Sequence, residues 1–324
     1  IAVEIATLKR RPSGILSAKS FENALIVLLA IGGSTNGLVH LTAIAGRMGI
    51  QLDMNSFDTL SRDIPVIVDL KPSGEGYMED LHKAGGLPRI LLELKDKLHL
   101  DTHTITGKTL GEIIDETNFS WKQKIVKSAG NPVYREGGIA VLKGNLAPNT
   151  AIIKQSAASE SLLTHTGKAI VFDGLEDLAN RIDSEDLDVN EDDILVLRYI
   201  GPKGAPGMPE AGLIPIPKKL AKRGVKDMVR ISDGRMSGTA SGTIILHVCP
   251  EAADGGPLAL VKSGDIISLD VAARNLHLHV DEQELEKRNK SLDLSKFIAK
   301  RGYHKLYMDH VLQADKGVDF DFLI

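Results

Sequence analysis

The chain has 324 residues, enough for two domains at roughly 150 residues each, with 43% hydrophobic and 25% charged side chains. Aromatic residues make up only 4%, so aliphatic side chains must fill a sizeable core, as they do in α/β layers and β-barrels. The formal net charge of −4 argues against a nucleic-acid partner, and no apolar run reaches the ~20 residues needed to span a bilayer.

Ile1, rather than Met, opens the sequence, and Ile1–Leu8 reads as the middle of an element, so the start of a longer protein is expected upstream. Ser20 to Asn23 followed by Ala24–Leu29 reads as a capped, buried helix that stops at Gly32-Gly33. Ser34 or Thr35 then caps a second helix, with Leu38, Leu41, Ile44 and Ala45 at helical spacing. Ile64–Leu70 reads as a buried strand. Helices are expected over Tyr77–Leu98, with a break at Gly85-Gly86, and over Leu110–Thr117. The segment Ser128–Gly138 is the candidate boundary between a domain at 1–130 and one at 131–324.

Beyond that boundary, strand-like runs appear at Ile139–Leu142, Ala151–Gln155, Lys168–Phe172, Ile194–Ile200, Met228–Ile231, Thr243–Val248, Ile266–Val271 and Asn275–Val280. Short strands with Gly- and Pro-rich turns predict a barrel or sandwich. Helices at Leu175–Ile182 and Pro217–Arg223 interrupt it, and a last helix, Leu294–Leu312, precedes an acidic–aromatic tail. A single cysteine, Cys249, excludes an internal disulfide and any self-contained zinc–thiolate or iron–sulfur site. It fits a reducing, cytoplasmic compartment and reads as a buried small hydrophobe.

Four loops can carry chemistry. Ser232–Gly242 joins two expected strands and places hydroxyls at Ser237, Thr239 and Ser241, with Arg235 among them; its glycines allow close approach to a ligand. A serine with no His partner nearby is a poor base unless a cation lowers its pKa, and spacing alone favours a glycine-rich barrel corner. Gly201–Glu210 carries three prolines and ends in a carboxylate, which suits magnesium; alone, a solvated surface Glu explains it better. Ser34, Thr35 and Asn36 open a helix whose N–H groups suit an anion, and an ordinary cap explains them equally. Lys71 and Ser73 follow the expected strand, where open α/β sheets place ligands. His277 with His279, and Asp101 with His103, are weaker metal candidates.

Jointly the turn Gly33–Asn36, the loop Lys71-Pro72-Ser73-Gly74, the loop Pro206–Glu210 and the loop Asp233–Gly238 resemble the dihydroxy-acid/phosphogluconate dehydratase family, in the family's order. The tail from Arg301 to Leu323, Met236 and Ala205-Pro206-Gly207 look more like its sugar-acid branch. The resemblance implies the C-terminal part of an α/β domain joined to a swivelling β-barrel, a homodimer, and removal of water from a 2,3-dihydroxy acid such as a pentonate or hexonate. Branched-chain dihydroxy acids are the alternative substrate. It implies Ser237 as the base at C2, Thr239 as a hydroxyl that supports the substrate or that serine, Glu210 as a magnesium ligand, and Ser34, Thr35, Asn36, Lys71, Ser73 and Arg235 as substrate-binding candidates. The family's iron–sulfur cysteines match nothing here, so this chain alone is expected to bind no cluster and to be inactive, or to serve as a binding module.

Overall fold

The computed structural model describes residues 2–8 and 10–324; Ile1, with which the expected opening element begins, lies outside the described residues. Contacts divide the chain into two compact units, Ile1–Gly33 with Ile44–Gly138, and Ser34–Ala43 with Ile139–Ile324.

The first unit is built on helices: α1 (Ala2–Leu8), α2 (Ala18–Ala30), α3 (Thr35–Arg47, through which the division runs), α4 (Met54–Asp63), α5 (Met78–Ala84), α6 (Gly86–Glu93) and α7 (Leu110–Asp115). A capping box starts α2 one turn earlier than the sequence suggests: the Ser17 hydroxyl accepts from the Ser20 N–H, and the Ser20 hydroxyl from the Ser17 N–H. Phe21, Leu25, Ile26, Leu28 and Leu29 recur at helical spacing and are buried. Helix α4 was not anticipated, although Asp53, whose carboxylate accepts from Ser56 N–H at 2.8 Å, is an ordinary cap.

The strand expected at Ile64–Leu70 is a correction. Ile64, Val66, Ile67 and Val68 are buried, but this stretch makes only isolated bridges, Val66 to Tyr134, Val68 to Val126 and Leu70 to Gly76. Its backbone is satisfied by several segments in turn, Ile67 N–H donating to Ala30 at 2.8 Å and Asp69 N–H to Ile125 at 2.8 Å. Pro65 removes a donor, and among the described residues no single partner runs alongside it to form a ladder.

The second unit holds one eight-stranded sheet: β1 (Ala140–Leu142), β2 (Thr150–Ile153), β3 (Thr164–Asp173), β4 (Ile194–Arg198), β5 (Arg230–Ser232), β6 (Ile244–Cys249), β7 (Ile266–Asp270) and β8 (Asn275–Leu278), in the order β1-β2-β6-β5-β4-β3-β7-β8. The central four strands are parallel, and the two flanking pairs join antiparallel. A parallel bridge from Lys143 to Asn275 links the ends of this order, so the sheet is nearly closed and barrel-like.

Alternation along the strands makes two cores. Ile194 and Val196 of β4 face inward with Ile153, Ile231, Ile245 and Leu276, whereas Leu195 and Leu197 face out under α8 (Gly174–Arg181) and α9 (Lys218–Lys222) with Phe172, Leu178 and Leu220. Helix α10 (Glu282–Lys290), capped by Asp281, was not anticipated. The single helix expected at Leu294–Leu312 is instead a short 3-10 turn at Ser295–Phe297 and α11 (Gly302–His310), parted at Gly302, whose φ is 74°.

Candidate active site

The two most informative loops leave the carboxyl ends of neighbouring parallel strands, β4 and β5, where a parallel sheet offers ligands its backbone groups. Both rest on buried carboxylates. Asp233, 1% exposed, accepts from the N–H groups of Tyr199, Ile200 and Ala252, each at 3.0 Å, so the first loop and the second share one foundation. Burial raises its carboxyl above the usual range, and those three donors oppose the shift. Glu251, also 1% exposed, accepts from Lys203 N–H at 2.8 Å, Gly204 N–H at 2.9 Å and the Gln313 side chain at 2.8 Å. Burial pushes it up to about 7.

The proline-rich loop is pinned at both ends from α11. The Tyr307 hydroxyl donates to the Pro202 carbonyl at 2.9 Å and accepts from Gly207 N–H at 2.9 Å. Gly207 and Met208 are both left-handed, at φ 89° and 47°, which turns the chain sharply before Pro209. Met208 is buried beside Cys249 and Ala314, and its carbonyl accepts from Arg235 Nε. Arg235 in turn offers its own carbonyl to Gly212 N–H at 2.7 Å. Of the sequence candidates, Arg235 is therefore half-buried and tied to the neighbouring loop.

Asn36 joins the two loops. Its amide donates to Glu210 Oε1 and, at 3.0 Å, to the Met236 carbonyl. Those two acceptors fix the amide's orientation and leave Oδ1 buried with no partner among the described residues. Ser237 follows Met236 and is exposed, with its hydroxyl 3.2 Å from that of Thr239, also exposed. A Cβ on Gly238 would stand 2.7 Å from the Ser34 Cβ, so only glycine lets the serine loop pass the start of α3. Ser34 Oγ accepts from Asn36 N–H at 3.2 Å, which is the ordinary capping use, and Thr35 is buried. Glu210, Arg235, Ser237, Thr239 and the Ser34–Asn36 turn thus gather within the second unit.

Lys71 and Ser73 belong to the first unit. Lys71 is exposed and donates to the Tyr77 hydroxyl at 2.7 Å, a contact that raises its ammonium pKa; Ser73 is half-buried. Among the described residues no sheet lies there, so the strand-end argument for this loop does not hold. The weaker candidates are structural: Asp101 pairs with Lys19, and His279 bonds the Ser268 hydroxyl at 2.6 Å.

Sequence reasoning missed Lys154 and His247. Lys154 is 2% exposed and donates to the Gly238 carbonyl at 3.3 Å. Burial alone lowers its ammonium to about 8. His247 is 2% exposed, left-handed at φ 52°, and its Nε2 has no partner among the described residues; burial first, and Arg235 second, depress it to about 3. A lysine closing the apolar run Ala151–Ile153 and a histidine inside Ile244–Cys249 were the available signals.

Magnesium takes hard oxygens at fixed positions, commonly one or two protein carboxylates completed by substrate and water. The Glu210 carboxylate and the unpartnered Asn36 Oδ1 belong to side chains in contact, and they fit such a shared ion. Among the described residues no group of three His, Cys, Asp or Glu could hold a metal unaided. An iron–sulfur cluster does not fit: the chain has one thiol, on Cys249, which is buried and whose pKa is raised by that burial. No described helix is long and apolar enough to cross a membrane.

Comparison with known proteins gives matches to the dihydroxy-acid/6-phosphogluconate dehydratase C-terminal domain over residues 124–318 and to the N-terminal domain of the same name over residues 1–113. The chain is 48% identical over 316 residues to L-arabinonate dehydratase of Rhizobium leguminosarum bv. trifolii, covering 97% of the chain and 54% of that relative. It is 45% identical to 6-deoxy-6-sulfo-D-gluconate dehydratase of Pseudomonas putida, at 99% and 56%. To dihydroxy-acid dehydratase of Methanococcoides burtonii it is 45% identical, at 94% and 55%. The chain spans about half the length of the curated relatives it matches.

Proposed function

The chain belongs to the dihydroxy-acid/6-phosphogluconate dehydratase family, and from that membership we propose that its full-length protein is a hydro-lyase converting a 2,3-dihydroxy sugar acid, a pentonate or hexonate, to a 2-keto-3-deoxy acid. The observation that carries the reading is the Ser237–Thr239 hydroxyl pair, set one residue beyond the carbonyl that Asn36 ties to Glu210.

The chemistry removes a proton from C2 and hydroxide from C3; the C2–H electrons form the double bond, and the enol tautomerises to the ketone. Ser237, as alkoxide, takes the C2 proton, and the Thr239 hydroxyl donates to it across 3.2 Å. Arg235, anchored at Met208, contributes positive potential to the same loop. Glu210 and Asn36 Oδ1 would hold magnesium, which supplies positive charge at the acid end of the substrate. Departure of the C3 hydroxide calls for an acid that these residues do not provide.

Sugar acids are placed first because the relatives named for arabinonate and sulfogluconate stand at 48% and 45% identity over 97% and 99% of the chain; the dihydroxy-acid dehydratase, at 45% over 94%, keeps the branched-chain acids as the alternative. The test is a panel of pentonates, hexonates and 2,3-dihydroxy-3-methyl acids offered to the full-length protein, with 2-keto acid as the readout. Turnover of aldonates supports the proposal, turnover confined to the branched acids replaces the substrate, and none with any of them sinks it. The 324-residue chain alone is expected to bind no iron–sulfur cluster and to turn over nothing; iron and sulfide near one cluster per chain after reconstitution would overturn that. A homodimer is the expected assembly of the full-length protein, read by sedimentation.

A further inference from the structure

Lys154 stands at the end of β2, immediately after Ile153, and is 2% exposed. Among the described residues its ammonium has one hydrogen bond, to the Gly238 carbonyl at 3.3 Å, and no carboxylate contributes to its titration. An ammonium buried with so little compensation costs several kcal/mol relative to water and is a poor device for stability. Its single acceptor is the carbonyl that lies between Ser237 and Thr239 in the chain.

The surrounding contacts show that the segment after β2 is built to meet this loop. Gly242 N–H donates to the Ala157 carbonyl at 2.9 Å, and Ser159 N–H to the Thr243 hydroxyl at 3.1 Å. Asp227, paired with Arg230 at 2.6 Å, accepts from the hydroxyls of Ser159 and Thr243 at 2.7 and 2.8 Å. These bonds already anchor the far end of the loop. They leave Gly238, at its exposed middle, to Lys154 and to the close approach of Ser34.

We propose that Lys154 is a positioning residue for the serine loop: through the Gly238 carbonyl it fixes the spacing of Ser237 and Thr239 and places a buried positive charge behind that hydroxyl pair. The proposal rests on the reading of Ser237 as the base. A cation held there by the fold favours the alkoxide form and needs no reorganisation when the proton moves.

The test is Lys154→Met in the full-length protein, beside Ser237→Ala, with kcat, KM and Tm measured for each. Because methionine removes a buried charge and keeps most of the volume, Tm should stay level or rise. The kcat should fall about a hundredfold, the scale of a loosened catalytic geometry, with KM changed less than about threefold. A kcat within about threefold of the parent overturns the proposal, and so does a fall in Tm that accounts for the lost activity. Should the Met variant not fold, Lys154→Gln is read the same way, and failure of both gives Lys154 a purely structural role. Activity retained by Ser237→Ala would instead remove the reading on which the proposal rests.

Discussion

Asn36 and Glu210 lie 174 positions apart in sequence, yet the amide of one donates to the carboxylate of the other while holding the Met236 carbonyl at 3.0 Å. One side chain therefore sets both the carboxylate and the start of the serine loop. Neither partner is distinctive in sequence; an Asn in a helix cap and a Glu after a proline are commonplace.

Asn36→Ala should release both contacts. Removing a residue that orients a metal-binding carboxylate typically costs 10- to 100-fold in affinity, so the magnesium concentration for half-maximal activity in the full-length protein should rise by about tenfold or more. Magnesium titration of the variant gives the answer, and an unchanged midpoint would detach Asn36 from the site.

Thr239→Val keeps the shape of the side chain and deletes the hydroxyl facing Ser237. With that bond gone, kcat should drop roughly tenfold to a hundredfold while the fold persists, since the position is exposed. Steady-state kinetics showing parental kcat would confine Thr239 to a bystander.

Tyr307→Phe removes one donor and one acceptor from the Gly201–Glu210 loop. Two such bonds are worth about 1–3 kcal/mol in sum, or a Tm lower by roughly 2–10 °C in a unit of this size. A calorimetric Tm equal to the parent's would mean that the loop is held without Tyr307, by Glu251, Arg235 and Asn36.

Glu251 gives the second unit a pH dependence of definite sign. Its folded pKa, about 7, lies above the ordinary 4.5, so the folded chain keeps a proton that the unfolded chain has released. Its contribution is thus fully present below pH 4.5 and is lost as pH rises through 7, by roughly 3 kcal/mol in all. Urea unfolding at pH 5 and pH 8 should show that loss in the parent and a smaller one in Glu251→Gln. A slope of the opposite sign, attributable to this residue by the same comparison, would refute the assignment.

Much of the barrel was legible because its strands are short apolar runs between Gly and Pro turns, and Ile194–Ile200 or Ile266–Val271 admit few other readings. Ile64–Leu70 carried the same apolar signal and formed no ladder, since burial depends on local composition while pairing depends on a partner elsewhere in the chain. The helix over Leu294–Leu312 failed at Gly302, where a left-handed residue outweighed propensity. Helix α10 was readable in retrospect from the Asp281 cap and the Glu284–Arg288 pair. In the site, Ser237, Thr239 and Glu210 lie in glycine- and proline-rich loops that alone favoured a barrel corner and a solvated Glu, and only the four loops read jointly singled them out. Lys154, Glu251 and Tyr307 were not singled out, because each acts on a loop 47 to 105 residues away and has no local signature.

The central claim is that the Ser237 loop abstracts the C2 proton. The most direct measurement is the turnover of a pentonate or hexonate to its 2-keto-3-deoxy acid by full-length Ser237→Ala protein whose Tm matches the parent. Loss of about a thousandfold or more in kcat, with substrate still bound, is the predicted result. A kcat within about tenfold of the parent would contradict it.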